Sequence, residues 1–337
     1  MNRFEYADAA TVEEAIQLTV KGSAVKAGGV DLLDLMKERL ATPARLVNIR
    51  NIKGLDEIRI DGDGLTIGPL VTLAQIAAHE GIKQKFTAVA QAAGKAATPQ
   101  IRNMATAGGN LLQRPRCWYF RNELTHCRKK GGEKCFAQEG ENQYHAIFNN
   151  ELCAIVHPSA LATPLIAMVA TVELTGAKNE KRSVRLEEFL ILPSEDLHRE
   201  NALREGEILT AIKVPNLAAG ARSYYIKQGE KESYDWPIAE MAAVVETEGT
   251  GESATCKSLS LVLGAAAPVP HRAKETEAKL KGQPLTRDNL LAAADAELAT
   301  AKPLAQNAYK IPLFRNLIAR TILAAAKNET TQAGEAQ

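Results

Sequence analysis

Apolar and polar positions along the chain change period several times, and each change marks a new element. Thr11 with Glu14 forms a capping box, and Val12, Ala15, Ile16 and Thr19 continue at helical spacing. VKAGGVDLLDLMKERL reads as a short strand, a Gly-Gly turn, and a helix with Leu32, Leu33, Leu35 and Met36 on its apolar side. RLVNIR (45–50) reads as another strand, closing a small α/β unit. From Gly54 the period drops to two: EIRIDGDGLTIGPL alternates around Asp61-Gly62-Asp63-Gly64, a hairpin signal. Helical spacing returns over 73–79 and 86–97, followed by QIRNMATAGGNLLQ with a second glycine-bearing turn at Ala107-Gly108-Gly109-Asn110. LATPLIAMVATVELTG resumes helix and strand, and a Pro/Gly/Ala stretch at 214–220 marks a domain boundary. Beyond it, SYYIKQGEKESYDWPIAEMAAVVE predicts a strand, a loop, and a strand or buried helix. KSLSLVLGAAAPVPHRAKETEAKL predicts a strand, a turn and an amphipathic helix. The polar tail ETTQAGEAQ, 329–337, is expected to be disordered.

Composition narrows the class without naming a chemistry. A chain of 337 residues is long for one core and suits two domains. Its 45% hydrophobic and 24% charged residues are ordinary for a globular protein. A formal net charge of +1 argues against a global footprint for nucleic acid or a membrane surface. The stretch 160–174 is the most apolar, yet Thr163, Pro164, Thr171 and Glu173 leave it too short and polar to span a bilayer. Glu5 and Asp8 stand where an export signal needs an apolar run, so a cytoplasmic location is expected. A signal-bearing partner subunit could instead carry the chain to the periplasm.

Gly28-Gly29 and Gly108-Gly109 each sit where a strand is expected to give way to a polar turn. Glycine lets the backbone approach a ligand closely, so successive N–H groups can converge on phosphate oxygens. Two such turns could grip the two phosphates of one dinucleotide, with Asp31, Asn103, Thr106 and Asn110 as polar ligands beside them. Short glycine pairs are also ordinary turn-makers. The unit lacks G-x-G-x-x-G, so it is not a Rossmann fingerprint.

The cysteines change the picture most. Cys117, Cys127, Cys135 and Cys153 are spaced C-x9-C-x7-C-x17-C within a segment of about 114–155, while Cys256 stands alone as an expected core thiol. Structural zinc draws ligands as close C-x2-4-C pairs, and no gap here is that short. A [4Fe-4S] cube has separated iron corners, which suits scattered ligands on a wrapped loop. Between Arg114 and Cys135, seven Lys and Arg face only Glu123 and Glu133, a net +5 that would offset an anionic cluster. Zinc, free thiols, and a basic face for docking another subunit remain open on the residues alone. His126 and His145 are read as solvated or hydrogen-bonded. Trp118, Tyr119 and Phe120 are read as packing that shields the site.

Longer strings around these features carry a resemblance. KAGGVDLLDLMK resembles the A-G-G-T-D-L segment of the flavin-binding subunit of molybdenum hydroxylases, the group of xanthine dehydrogenase, carbon monoxide dehydrogenase and aldehyde oxidoreductase. QIRNMATAGGNLLQ resembles that family's Q-I-R-N-x-A-T-x-G-G-N segment, and GAAAPVPHRAKETEAKLKG the start of the helix in its C-terminal domain. The resemblance runs from about 4 to 325. It implies an α+β fold: a two-part FAD-binding domain of the vanillyl-alcohol-oxidase/PCMH type at 1–216, then a C-terminal α/β domain of the CO dehydrogenase flavoprotein type at 217–328. The first domain would divide into about 1–53 and 54–216, with the cysteine segment inserted in the second part.

The resemblance also implies site residues. Ala27, Gly28, Gly29, Val30, Asp31 and Leu32 would meet the FAD pyrophosphate from one side, and Thr106, Gly108, Gly109 and Asn110 from the other. Thr72, Ile208 and Leu209 resemble further FAD-lining positions, and Lys227 the family lysine near the flavin ring, where a cation would stabilise a reduced, anionic flavin. Two departures stand out. VHPSALA has Ala160 where the family commonly has Asp, which leaves Ser159 alone there, and Val30 replaces a frequent Thr; His157 of the same string is read as structural or flavin-proximal. The cysteine segment is similar to the [4Fe-4S] loop of the flavin subunits of 4-hydroxybenzoyl-CoA reductase and an aldehyde oxidoreductase. Cys117, Cys127, Cys135 and Cys153 would be its ligands.

The function so implied is electron transfer through FAD in a multi-subunit molybdenum hydroxylase. Substrate oxidation would fall to a molybdopterin-binding large subunit, and a [2Fe-2S] small subunit would relay electrons. They would leave to NAD, oxygen, a quinone or a ferredoxin, and no nucleic acid or membrane is expected as partner. The chain lacks the C-x4-C-x2-C run of a plant-type ferredoxin. Two other readings stay in view: a self-sufficient FAD-dependent alcohol or hydroxy-acid oxidase, and a zinc-stabilised interaction protein.

Overall fold

A computed structural model describes residues 1–249 and 254–327, and the tail read at 329–337 lies outside them. Three sheets organise the chain. The first is parallel, of β1 (Glu5–Asp8), β2 (Ser23–Lys26) and β3 (Arg45–Asn48) in the order β1-β3-β2. The helices Val12–Leu18 and Val30–Lys37 make its crossovers. Thr11 caps the former by accepting from Glu14 N–H, while the Glu14 carboxylate reaches back to Ala10 N–H, one residue beyond the expected capping box.

The second sheet is antiparallel, with order β4-β5-β8-β6-β7. It contains β4 (Ile58–Asp61), β5 (Gly64–Ile67), β6 (Thr171–Thr175), β7 (Lys181–Arg185) and β8 (Ile208–Pro215). The alternation in EIRIDGDGLTIGPL does become the β4–β5 hairpin. Helices Leu73–Ala78, Thr87–Lys95 and Ala162–Ala167 bury their apolar residues in the core against this sheet.

The third sheet, order β12-β11-β10-β9, holds β9 (Arg222–Gln228), β10 (Ala239–Glu248), β11 (Thr255–Gly264) and β12 (His271–Arg272). Its strands have apolar residues at both parities because both faces are buried. Met241, Ala243 and Val245 of β10 enter the core with helices Lys274–Leu280, Arg287–Leu298 and Lys310–Lys327. Ala242 turns the other way, with Tyr225 and Val262, into the core of the five-stranded sheet. Side chains in register with Ala242 thus face the first two sheets, a parity that governs the site below.

The cysteine segment is not a surface excursion. Ile147 and Phe148 belong to the C-terminal core, and Ile147 N–H donates to Ala266 O at 2.8 Å. Lys310, fully buried, donates from Nζ to the carbonyls of Tyr144, His145 and Ala265 at 2.9–3.0 Å. Burial pushes this amine down to about 7. Three carbonyl acceptors nevertheless call for three N–H bonds, which only the ammonium has, so the geometry favours the charged form.

Candidate functional site

A cavity of about 580 Å³ lies among the three sheets. Its lining includes the first glycine turn, the second glycine segment, the start of β8, and the inward face of β9 and β10. The volume is that of a cofactor pocket.

The two glycine segments meet here backbone to backbone. A Cβ on Gly28 would lie 2.0 Å from the Met104 carbonyl oxygen, so only glycine permits the approach. Gly29 has φ +78° and begins the helix Val30–Lys37 without a side-chain cap. Its first intrahelical bond is Leu33 N–H to Gly29 O, so the preceding N–H groups are orphan donors beside the cavity.

The second segment differs from the expected turn. Ala107–Leu111 is a single helical turn capped by Thr106, whose hydroxyl accepts from Gly109 N–H at 3.1 Å. Gly108 N–H donates to Pro69 O, so these two amides are already engaged rather than free to converge on phosphate. The reason is packing: a Cβ on Gly108 would stand 2.8 Å from Pro69 Cβ, and the glycine lets the turn sit flat on that neighbour. Asn110 remains at the cavity, its Oδ1 accepting from Ser159 Oγ at 2.7 Å and from Leu161 N–H.

Of the residues singled out, Ala27, Gly28, Gly29, Val30, Asp31, Leu32, Thr106, Gly108, Gly109, Asn110, Ile208, Leu209 and Lys227 all line the cavity. Thr72, Asn103 and Ser159 do not. Thr72 heads the helix Leu73–Ala78 with a full capping box to Gln75 and bridges Thr106, so it shapes the second segment from behind. Asn103 is exposed at the end of a short helix. Ser159 is buried behind Asn110 and orients its amide, while Ala160 forms part of the wall.

Asp31 is tied to the cysteine segment rather than left for a ligand. Its carboxylate accepts from Arg116, from Arg121 Nη2 at 2.7 Å and from Arg114 N–H at 2.8 Å. Burial works to raise its pKa, but Arg116, the Arg114 amide and Arg121 outweigh that and hold the carboxyl below its usual range. Sequence reasoning missed Arg116 as a cavity residue. Its guanidinium lies 4.7 Å from the ring centre of Trp236, another lining side chain. Charge counting drew attention to Arg116, but nothing in the string places it beside Trp236.

A second, narrow cavity of about 10 Å³ is lined by all four clustered cysteines. Cys117, Cys127 and Cys135 each immediately precede a helical turn (Trp118–Arg121, Arg128–Lys130 and Phe136–Gln138). Such a position aims backbone N–H groups at the sulfur. The amides of Phe120 and Tyr119 act to lower Cys117, those of Ala154, Ala137 and Gln138 to lower Cys135, and that of Ile155 to lower Cys153. Burial pushes Cys117 up to about 11. Cys135 and Cys153 act on each other, which lowers the Cys135 thiol and raises that of Cys153. Among the described residues, no three His, Cys, Asp or Glu side chains converge on a single metal ion. The donor set still fits a multi-iron group, since four thiolates on one cavity can each take one iron corner, and backbone amides near the sulfurs tune such a cluster.

His145 is buried with Nε2 3.3 Å from Cys117 Sγ, and burial with the nearby Lys310 holds it down to about 4. His157 is buried and accepts from Ser159 N–H. Cys256 is fully buried in the C-terminal core. Lys129, also buried, pairs with Glu200 at 2.7 Å, and Arg114 pairs with the same carboxylate at 2.8 Å. These are charge contacts more than aligned hydrogen bonds.

The chain matches the FAD binding domain in molybdopterin dehydrogenase over residues 2–217 and the CO dehydrogenase flavoprotein C-terminal domain over 224–325. It is 34% identical to the aldehyde oxidoreductase FAD-binding subunit PaoB of Escherichia coli, covering 97% of this chain and 99% of that one. It is 29% identical to the carbon monoxide dehydrogenase medium chain of Hydrogenophaga pseudoflava, covering 89% and 88%. A solved structure of carbon monoxide dehydrogenase from that organism superposes with a TM-score of 0.74 at 26% identity over 98% of this chain and 99% of that one. The cavity geometry, both domain matches and these full-length similarities agree: the chain belongs to the FAD-binding medium-subunit family of the molybdenum hydroxylases.

Proposed function

We propose that this chain is the FAD-bearing electron-transfer subunit of a molybdenum hydroxylase complex, with the flavin in the large cavity and a [4Fe-4S] cluster held by Cys117, Cys127, Cys135 and Cys153. The observation that carries the reading is the Gly28–Met104 approach, which closes two distant glycine segments around one cofactor-sized space. Uncapped N–H groups at Gly29–Leu32 supply donors for phosphate, backed by the positive end of the helix Val30–Lys37. Asn110, held by Ser159 through its oxygen, presents its amide N–H₂ as the remaining donor end. Ile208 and Leu209 form an apolar wall that keeps water from the space. Lys227 brings a cation from β9.

When bound, FAD supplies exchange between two-electron and one-electron carriers. Substrate would be oxidised on a molybdopterin-bearing large subunit, and a [2Fe-2S] small subunit would pass electrons on. NAD, oxygen, a quinone or a ferredoxin would receive them. Among the described residues no helix is long and apolar enough to cross a membrane. A cytoplasmic site of action is consistent with the reducing conditions that free thiols need. The relatives named above argue against a self-sufficient oxidase, and the scatter of the thiols argues against a single zinc.

Anaerobic purification with FAD reconstitution tests the reading. A flavin absorbance spectrum is expected, with about four irons and matching acid-labile sulfide per chain rather than one zinc. Cys135→Ser should remove the iron and leave the flavin. A chain that takes up no flavin overturns the flavin assignment, and iron retained in Cys135→Ser overturns the ligand set.

A further inference from the structure

Glu240 is a carboxyl that the proposed electron transfer does not use, and its setting is unusual. It lies on β10, in register with Lys227 on β9. By strand parity it faces the first two sheets with Tyr225 and Lys227, and all three line the large cavity. The residue is 2% exposed. Thr163 Oγ1 donates to Oε1 at 2.9 Å, and the Tyr225 hydroxyl donates to Oε2. A Cβ at position 264 would lie 2.3 Å from Oε1, so Gly264 is what makes room for the carboxyl.

We propose that Glu240 is a redox-linked proton site for the cofactor: it binds a proton from solvent as electrons enter the cavity and returns it as they leave. The inference rests on the flavin reading above. The physical reason is charge. Two electrons and one proton leave the bound flavin with a net negative charge, and a carboxylate on the same wall then becomes costlier. Glu240 takes up a second proton, so its group changes from COO⁻ to COOH. When the acceptor removes the two electrons, both protons depart again and the count closes. Tyr225 and Thr163, whose hydroxyls can donate or accept, are the hydrogen-bonded neighbours through which that proton can pass.

Before any electron arrives, Glu240 is already poised to respond. Burial pushes it up to about 7, against the hydrogen bonds from Tyr225 and Thr163 and the Lys227 charge. The groups bearing on it are Lys227 and Tyr225 from β9 and Thr163 from the helix Ala162–Ala167. Beyond these, Asp235 and Arg102 act on Lys227, whose own pKa burial lowers, and Lys95 lies beside it. A purely structural Tyr–Glu–Thr contact would sit away from the cofactor wall and feel no flavin charge.

The test is the flavin midpoint potential of the reconstituted chain, measured from pH 5.5 to 9. Below about 7, Glu240 is protonated in both redox states and one proton accompanies two electrons. Above about 7 the second proton joins, so the slope of potential against pH should double. Glu240→Gln should keep the single slope throughout. Thr163→Val removes a bond that favours the carboxylate, so the break should move to higher pH. Reduced-minus-oxidised infrared spectra above pH 7 should gain a carboxylic C=O band that Glu240→Gln lacks. An identical slope in wild type and Glu240→Gln, or no such band, overturns the inference while leaving flavin binding intact. A chain without flavin shows no potential at all, which is failure of the underlying reading and is told apart at once.

Discussion

Replacing Asp31 by Ala should loosen the cysteine segment, not the helix that carries Asp31. The carboxylate is 15% exposed, and the Arg116 and Arg121 side chains that meet it are 21% and 13% exposed. Removing one partner of a buried ion pair costs about 3–5 kcal/mol because the other charge is stranded. Here the stranded cations keep partners. Arg121 still donates to the carbonyls of Pro115 and Arg114 at 2.8 and 2.9 Å, and Arg116 to Gln113 Oε1 at 2.7 Å. Both also retain some contact with water. The cost should fall to about 2–3 kcal/mol, which is roughly 30- to 150-fold in a local opening equilibrium. Amide hydrogen exchange over 114–121 reads that equilibrium directly. Asp31→Asn should lie between, since its oxygen can still accept from Arg114 N–H. The acid behaviour carries a sign. The folded carboxyl is held below its ordinary value of 3.8, so its contribution is complete above that value and fades as pH falls through the folded pKa. Wild-type protection should therefore be flat near neutrality and drop only in strong acid, a drop Asp31→Ala should lack. Unchanged exchange over 114–121 in Asp31→Ala would refute this account.

Other substitutions probe the remaining joints. Gly28→Ala forces a Cβ into the Met104 carbonyl and should cost about 1–3 kcal/mol with loss of bound flavin, whereas Gly62→Ala, with nothing within 4 Å, should melt like wild type. Ser159→Ala takes one of two donors from the Asn110 oxygen and leaves the buried Ala162 N–H without its acceptor; losing about 1 kcal/mol at Asn110 should weaken FAD binding by about fivefold in a fluorescence titration, and the melting midpoint should fall as well. Lys310→Met leaves the Tyr144 and Ala265 carbonyls without that donor, while His145 O keeps Asn307 Nδ2, and should lower unfolding stability by about 3 kcal/mol in denaturant melts, with Lys310→Arg failing to rescue because the site is fully buried.

What the sequence disclosed followed local rules, and what it hid depended on distant partners. Period-two alternation was enough for the β4–β5 hairpin, because a four-residue Asp-Gly turn fixes that register by itself. The first glycine turn was legible for the same reason: positive φ at Gly29 is a local demand. Gly108-Gly109 differed from the turn reading because Gly108 answers to Pro69, nearly forty residues upstream, while Thr106 caps Gly109 in one turn of helix. Ser159 likewise looked like a flavin contact, since no local pattern shows that Asn110 stands between it and the cavity. The helices Arg287–Leu298 and Lys310–Lys327 drew no expectation despite their length, and each packs almost entirely against the C-terminal sheet and its neighbouring helices. The cysteines could be counted in the string. Their meeting around one cavity required chain reversals at Gly131 and Gly132 and anchors as remote as Glu200 and Lys310.

Those anchors bear on where the cysteine segment sits. A carboxylate in the first turn of a helix is favourable to the helix but repels an anionic ligand at the same N-terminus. Asp31 creates that conflict for any phosphate brought to Gly29–Leu32. Arg116 and Arg121 relieve it: both offset Asp31, and Arg121 also meets Asp34 of the same helix, so two cations balance two carboxylates. Both arginines come from the cysteine segment. Arg116 also reaches the cavity itself and stacks on Trp236 from the β9–β10 connection. The cysteine segment is thus part of the electrostatic wall of the large cavity, and the two cavities share the Phe120 side chain. Losing order in one should be felt in the other through Asp31, whether or not any electron passes between them.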